Sequence, residues 1–173
     1  MKYNPIGPFE IPINPRRRVE KSDLKAFWED IEDSDEGLSS AVGCYVFGLK
    51  NKSYIPWYVG LAEKQTFSSE CFSVHKLNIY NEAISLRKKG RPFLTLLPKF
   101  SNTGRYSKPS KNGHRDIQFL EKILIGTAAQ RNRELLNVKN TKFYRELVVP
   151  GLFNSPMGQP RKNVQVFKSM LGL

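Results

Sequence analysis

Two tyrosines in glycine-containing triplets are the residues whose types and spacing most suggest chemistry in this sequence. They belong to Gly43-Cys44-Tyr45 and to Tyr58-Val59-Gly60, which follows after a short gap. The interior of a strand favours valine or isoleucine, whereas a buried phenol must find a hydrogen-bond partner for its hydroxyl group. The two phenols therefore indicate a polar site, with two structural tyrosines as the alternative.

Apolar runs around these triplets predict the strands that position them. Residues 41–49 and 55–60 predict two strands joined by a polar turn, and two strands that close together should pair as a hairpin. The hairpin would set Tyr45 beside Tyr58. A third strand is predicted over residues 91–100, bounded by two prolines. These elements predict an α/β (α+β) protein with a small, mainly antiparallel three-stranded sheet flanked by helices.

Helical periodicity predicts three helices around this sheet and a short amphipathic helix near the end of the chain. The acidic segment 22–37 forms the first, residues 68–89 the second, with His75 on its inward stripe, and residues 116–136 the third. Four prolines in residues 1–21 predict an arm outside the core. We expect one domain over residues 1–173: the arm at 1–21, the acidic helix, a core at 41–140 and a C-terminal extension at 141–173.

The charge balance predicts a polyanionic partner. The chain carries 28 Lys and Arg against 16 Asp and Glu, a formal net charge of +12, and residues 87–115 contain no acid. Nucleic acid is the expected partner, and a merely basic protein is the alternative. The expected contacts are the basic residues of that stretch: Arg87, Lys88, Lys89, Arg91, Arg105, Lys108, Lys111 and Arg115. The long loop 101–115 would form a DNA-contacting flap, and Arg16-Arg17-Arg18 either grips phosphate or is solvated.

Other sequence features favour a cytoplasmic protein. The sequence has no apolar run of transmembrane length and no signal-peptide pattern at its N-terminus. Its two cysteines, Cys44 and Cys71, lack the spacing of a zinc site, so both are interpreted as buried thiols. We expect no membrane association and infer no obligate protein partner.

The two triplets resemble those of the GIY-YIG nuclease family, named for Gly-Ile-Tyr and Tyr-Ile-Gly. Cys44 here replaces the first isoleucine and Val59 the second, and both are compatible with a strand. The family also carries a glutamate on the helix after the third strand and an asparagine after that helix, and Glu121 and Asn137 match these positions. The resemblance covers about residues 41–140 and implies a GIY-YIG-like fold.

The resemblance also implies roles for the matched residues. It makes Glu121 the ligand of Mg²⁺ (or Mn²⁺), with an exposed glutamate paired with Lys122 or Lys88 as the alternative. Tyr45 would be the base and Tyr58 a phosphate or water ligand, because a phenol becomes a useful base only when a nearby charge lowers its pKa. Asn137 would order the site by hydrogen bonds rather than bind metal.

The sequence departs from the family at the first helix after the second triplet, where members carry an arginine. No arginine occurs between Arg18 and Arg87. Lys64, His75 and Lys76 are the candidates that would supply positive charge there, and the resemblance would place Lys64 near Tyr45, where it would lower the pKa of the phenol. A lysine lacks the bidentate fork of arginine. A core role is the alternative for His75.

Three hypotheses follow for function. The first is a Mg²⁺-dependent endonuclease that hydrolyses DNA phosphodiester bonds, a hydrolase whose preference for DNA over RNA the sequence leaves open. The second is a nucleic-acid-binding module of the same fold with a decayed site, favoured by the missing arginine. The third is a partner-binding domain that uses the acidic segment 22–37. For the nuclease, Glu121 must come close to both phenols.

Overall fold

The computed structural model of the chain describes residues 1–87, 89–137, 141, 146, 148–149 and 161–172. Two compact units contain these residues, Met1–Asn137 and Val138–Leu173. Lys88 and most of the predicted C-terminal extension lie outside the described residues. The sheet and all the predicted site residues that the structure describes belong to the first unit.

The first unit is an α+β structure built on a five-stranded antiparallel sheet. Its strands are β1 (Lys2–Tyr3), β2 (Ile6–Glu10), β3 (Gly43–Lys50), β4 (Tyr54–Ala62) and β5 (Arg91–Phe100). The order across the sheet is β1-β5-β3-β4, and β2 also pairs with β5. The predicted hairpin and third strand are therefore confirmed, as is the antiparallel arrangement. The predicted number of three strands was wrong.

The two additional strands come from residues 1–21, which were predicted to lie outside the core. Lys2 pairs with Phe100, and Ile6 with Leu96, so this segment extends the sheet along the free side of β5. Ile11 is 1 % exposed and belongs to the main core. The prolines exclude a helix but tolerate extended backbone, which is why the inference from them failed.

Two prolines lie inside β5, at positions where a missing N–H costs no ladder hydrogen bond. The Lys99 N–H donates to the Val42 carbonyl, on the β3 side of the strand. The N–H groups of successive residues in a strand point to opposite sides, so the nitrogens of Pro92 and Pro98 point away from β3. Neither proline is paired there with β1 or β2. The strand therefore continues through both prolines.

The helices are α1 (Leu24–Ser34), α2 (Phe67–Glu70), α3 (Val74–Leu86) and α4 (Arg115–Arg131) in the first unit, and α5 (Lys162–Met170) in the second. A short 3₁₀ turn, Lys21–Asp23, precedes α1. The second helix predicted as continuous over residues 68–89 is broken between α2 and α3. No helix among the described ranges is long and apolar enough to span a membrane.

The sheet has two covered faces. Cys44, Val46 and Val59 point to one face, where they pack with the apolar residues of α4. Tyr45 and Phe47 point to the opposite face and join the core formed with α1 and α3. Strand β4 lies at one edge of the sheet, and its central side chains, Trp57, Tyr58 and Val59, are buried.

Candidate active site

The two glycine triplets meet across the β3–β4 hairpin. Tyr45 is directly opposite Gly60, and a β-carbon at Gly60 would overlap the Cζ and Oη atoms of Tyr45. Gly43 is required for a different reason, since a β-carbon there would overlap the backbone carbonyl of Leu97. Both glycines are therefore fixed by close packing, with one of them making room for a tyrosine ring.

Tyr45 lies below the surface. It is 0 % exposed, its ring is centred 6.3 Å from that of Tyr58, and its hydroxyl has no hydrogen bond of regular geometry among the described residues. Burial, with smaller contributions from Tyr80, Cys71 and other neighbours, raises its pKa well above the ordinary value. In this conformation the hydroxyl cannot accept a proton from a water in solvent, which the predicted base would have to do.

Tyr58 is held by Lys76 at the edge of the sheet. The Lys76 ammonium donates a hydrogen bond of 2.5 Å to the Tyr58 hydroxyl and lies 4.7 Å from the centre of its ring. Burial raises the pKa of Tyr58, while the hydrogen bond and the charge of Lys76 act in the opposite direction. A cation and a phenol, both mostly buried, thus share one site.

Glu70 completes the charged group on this side of the sheet. It ends α2 and lies 3.7 Å from the Lys76 ammonium. Burial raises its pKa, and the charges of Lys76 and His75 oppose that effect. His75 is exposed on the first turn of α3, so its predicted inward position was wrong. The break before α3 changes the phase of the helix, and Tyr80 takes the inward position instead.

Glu121 approaches the same edge from the other face. It lies one turn from Ile117 and one turn from Ile125, which are 0 % and 1 % exposed, so it occupies the sheet-facing ridge of α4. Its negative charge raises the pKa of both Tyr58 and Cys44. Glu121 is thus a half-buried carboxylate among apolar neighbours of α4.

Asn137 pairs with the outer edge of β4. Its Nδ2 donates to the Val59 carbonyl at 2.7 Å, and its Oδ1 accepts from the Val59 N–H at 2.9 Å. The neighbouring Leu136 N–H donates to the Trp57 carbonyl, and Asn132 Nδ2 to that of Pro56. The segment 132–137 therefore satisfies the free edge of the strand that carries Tyr58.

The structure brings only some of the predicted residues together. Tyr45, Tyr58 and Lys76 lie on one face of the sheet, whereas Glu121 belongs to α4, which covers the other face. The charge of Glu121 acts on Tyr58, but the described groups whose charges act on Tyr45 do not include it, so the expected approach of Glu121 to both phenols is not seen. Lys64 is exposed in the bend after β4, and the described groups whose charges act on Tyr45 do not include it. The predicted pairing of Lys64 with Tyr45 is therefore not seen.

The basic residues of the stretch 87–115 divide into two groups. Arg87, Lys89 and Arg91 lie near the start of β5, and four basic residues follow its end, about 30 Å away at 3.3 Å per residue, while Lys99 lies within β5 and is paired with Asp116. Arg87 and Arg91 are paired with Glu134 and Glu10, whereas the second group is exposed: Arg105, Lys108, Lys111 and Arg115.

The loop that carries most of the second group packs against the domain. The Tyr106 hydroxyl donates to Asp35, and Glu63 accepts hydrogen bonds from the His114 N–H and the Gln118 side chain. The Ser110 N–H also donates to the Glu63 carbonyl. The loop is therefore tied at several points, and its basic side chains form a fixed surface.

The donor set at the β4 edge limits how a metal could bind. Within the described residues no group of three or more His, Cys, Asp or Glu side chains could hold a metal ion. A single carboxylate is nevertheless compatible with Mg²⁺, which keeps several waters and takes substrate oxygens. Glu121 is the candidate carboxylate for this mode, because its negative charge acts on Tyr58 and contributes to raising the pKa of that phenol.

Sequence reasoning missed two residues of this site. Tyr80 is 0 % exposed, stacks on Phe47 at 4.0 Å, and its hydroxyl has no hydrogen bond of regular geometry among the described residues. Burial raises its pKa well above the ordinary value, and the Tyr45 hydroxyl acts in the opposite direction. Tyr80 could have been found as a polar aromatic on the inward stripe of a helix. Glu70 gave no signal, because only the break between α2 and α3 brings it to Lys76.

Comparison with known proteins adds no relative to this description. Neither a protein-family model, nor a curated protein, nor a solved structure matches the chain.

Proposed function

We propose that the chain is a Mg²⁺-dependent endonuclease of the GIY-YIG type that hydrolyses DNA phosphodiester bonds. The observation that carries the proposal is the Tyr58 hydroxyl, 2.5 Å from the Lys76 ammonium and within the field of Glu121. Phosphodiester hydrolysis needs a positioned water, a cation near the phosphate and a carboxylate for the metal. Tyr58, Lys76 and Glu121 are the chain's candidates for these three roles.

The architecture supports the family resemblance. An antiparallel hairpin carries the two triplets, β5 pairs with β3, and Glu121 follows on the helix after β5. The collision that a side chain at Gly60 would cause with Tyr45 gives the second triplet a physical reason for its glycine. Tyr45 in this arrangement positions the hairpin and packs beneath Tyr58.

The chain's own residues divide the work at the site. Lys76 holds the Tyr58 hydroxyl and offers its charge to a phosphate oxygen, the role for which the family uses arginine. Tyr58 orients the attacking water. Because burial raises its pKa, the phenol loses its proton, and so becomes able to accept one, only at alkaline pH. Glu121 would hold Mg²⁺, which when bound neutralises charge on the phosphoryl group. Glu70 keeps Lys76 in place.

The second candidate function is a nucleic-acid-binding module without turnover. The sealed Tyr45 hydroxyl favours it, because the residue assigned as base by resemblance has no access to solvent. Lys76 also lacks the two-pronged donor geometry of arginine. In this case the basic surface would remain functional and the β4 edge would not cleave.

Nicking of supercoiled plasmid with Mg²⁺ or Mn²⁺ separates the two functions. Glu121→Gln and Lys76→Met should each lower the nicking rate at least about 100-fold. The exposed Glu36→Gln and Lys52→Met serve as matched controls that remove the same charges and should nick as the wild type does. Wild-type activity that persists in Glu121→Gln contradicts the nuclease site. Binding without nicking in every variant supports the module.

Two conservative variants separate the phenols. Tyr58→Phe should abolish most nicking, because it removes the hydroxyl that Lys76 holds. Tyr45→Phe should keep most of it if the sealed hydroxyl serves only to pack the hairpin. Loss of activity in Tyr45→Phe with an unchanged free energy of unfolding would instead support Tyr45 as the base, and would require an opening of the core.

A further inference from the structure

A cavity of about 710 Å³ lies between the segment that carries Arg16-Arg17-Arg18 and helix α3. Nine described residues line it, and four of them are arginines, namely Arg16, Arg17, Arg18 and Arg87. Among these nine, Glu82 is the single acid and Ile84 the one apolar residue. Sites for small organic ligands are lined mostly by apolar side chains, whereas this cavity suits an anion.

The arginines are presented by a turn that hydrogen bonds hold in shape. The Asn14 N–H donates to the Arg18 carbonyl, and the Arg17 N–H donates to the Asn14 carbonyl. The Asn14 Oδ1 accepts from the Arg18 N–H, and its Nδ2 donates to Glu20. Arg17 adopts φ 58°, a left-handed conformation that costs energy outside glycine, and its side chain donates to the Gly90 carbonyl.

The turn is also fastened to α3. Asn81 accepts from the Val19 N–H at 2.8 Å and donates to the Val19 carbonyl at 3.2 Å, so one side chain pairs with the backbone on both sides. Val19 itself is 3 % exposed. The cavity wall is thus formed before any ligand arrives, which lowers the ordering cost of binding.

Two of the four guanidinium groups are available to a ligand. Arg17 is bonded to Gly90, and Arg87 is paired with Glu134 and lies over the Trp57 ring. Arg16 and Arg18 are exposed, and within the described residues their guanidinium groups make no ion pair. Guanidinium forks match phosphate oxygens in a bidentate manner, so phosphate is the anion that best fits the pair.

We infer that this cavity binds the phosphate backbone of DNA at a place distinct from the reaction centre. The choice of DNA as the ligand rests on the proposed function. Asn78, Asn81 and Ser85 lie about 140–200° around α3 from Lys76 at 100° per residue, so the cavity opens on the opposite side of the helix. The cavity therefore contacts phosphates other than the one at the bond that is cut.

Fluorescence anisotropy of a labelled 20-bp DNA duplex (roughly two helical turns), measured in EDTA over a range of salt concentrations, tests this inference without cleavage. The variant is Arg16→Ala/Arg18→Ala, and the control is Lys2→Ala/Lys25→Ala, which removes two exposed charges elsewhere. Losing two phosphate contacts should reduce the slope of log K against log salt by about 1.8. The affinity at about 0.1 M salt should then fall by up to roughly 60-fold, since this contribution scales as the salt concentration to the power −1.8. Arg16→Lys/Arg18→Lys should retain most of the slope.

The outcomes distinguish this inference from the proposed function. If Arg16→Ala/Arg18→Ala binds DNA as tightly as the control Lys2→Ala/Lys25→Ala, the cavity is not a DNA site, even if the wild type nicks plasmid. A loss of binding confined to the arginine variant supports the cavity, even if no variant nicks. A wild type that binds no duplex at low salt refutes both. Isothermal titration calorimetry with inorganic pyrophosphate tests whether the cavity binds a small phosphate compound instead of DNA. Tight binding of pyrophosphate, together with unchanged DNA binding in the arginine variant, would also refute DNA as the ligand.

Discussion

Gly60→Ala tests the packing on which the candidate site depends. A β-carbon at this position would overlap Cζ and Oη of Tyr45 and would lie 2.8 Å from Cε2, closer than real β-carbons approach other atoms. Tyr45 is 0 % exposed and surrounded by core residues, so its ring cannot swing into solvent. The hairpin must therefore open or the ring must displace its neighbours.

The expected cost is that of overpacking a rigid core, about 1–3 kcal/mol. A loss of about 2 kcal/mol would lower the midpoint of urea unfolding by roughly 1 M, for a slope of roughly 2 kcal/mol/M. Equilibrium unfolding followed by circular dichroism measures this shift. The same variant should nick plasmid more slowly, because Tyr58 lies on the strand that is displaced.

A second substitution shows whether the ring is the cause. On a Tyr45→Leu background the ring tip is absent, so Gly60→Ala should cost far less there than in the wild type. Gly43→Ala is the matched comparison, since its β-carbon would meet the Leu97 carbonyl and should destabilise both backgrounds equally. An equal loss from Gly60→Ala on both backgrounds, or no loss on either, would refute the proposed packing.

Three further variants test the charges and the sheet edge. Lys76→Met removes the hydrogen bond and the charge that lower the Tyr58 pKa. NMR of ring-labelled tyrosine should therefore show that this pKa rises, and the residual nicking should move to more alkaline pH. An unchanged pKa would contradict the contact. Asp116→Asn should cost about 1–3 kcal/mol near neutral pH. Burial raises the Asp116 pKa, but its hydrogen bonds and a nearby lysine lower it overall. The difference in free energy of unfolding between Asp116→Asn and the wild type, measured in urea, should therefore shrink as pH falls below about 4. A difference that stays constant with pH would refute this. Asn137→Ala should cost about 1–3 kcal/mol and speed hydrogen exchange at the Val59 amide, whereas unchanged exchange would mean that the edge is not held there.

The strands of the hairpin and β5 could be predicted because continuous apolar runs have few other solutions. The strands β1 and β2 could not, since short segments with prolines gain their structure from an open sheet edge rather than from their own pattern. The break between α2 and α3 also escaped prediction. Thr66 caps α2 by accepting from the Ser69 N–H, a local contact that starts a helix without revealing how soon it ends.

The candidate site shows the same division. Tyr58 could be placed beside β3 because the pairing of a short hairpin is local, whereas Glu121 was named only through the resemblance to the GIY-YIG family. The burial of Tyr45 depends on how tightly α3 covers the sheet, and the partnership of Glu70 with Lys76 depends on a helix break. Both are tertiary outcomes that the pattern of a single sequence does not contain.

The pairing of residues 132–137 with β4 has a consequence for association between chains. An uncovered outer strand is a template on which a second molecule can add its own strand, the first step toward fibrous aggregates. Here a side-chain amide and two neighbouring donors already occupy the groups that such a strand would use. Growth of assemblies through this side of the molecule would first require that segment to peel away, so its attachment acts as a safeguard against self-association.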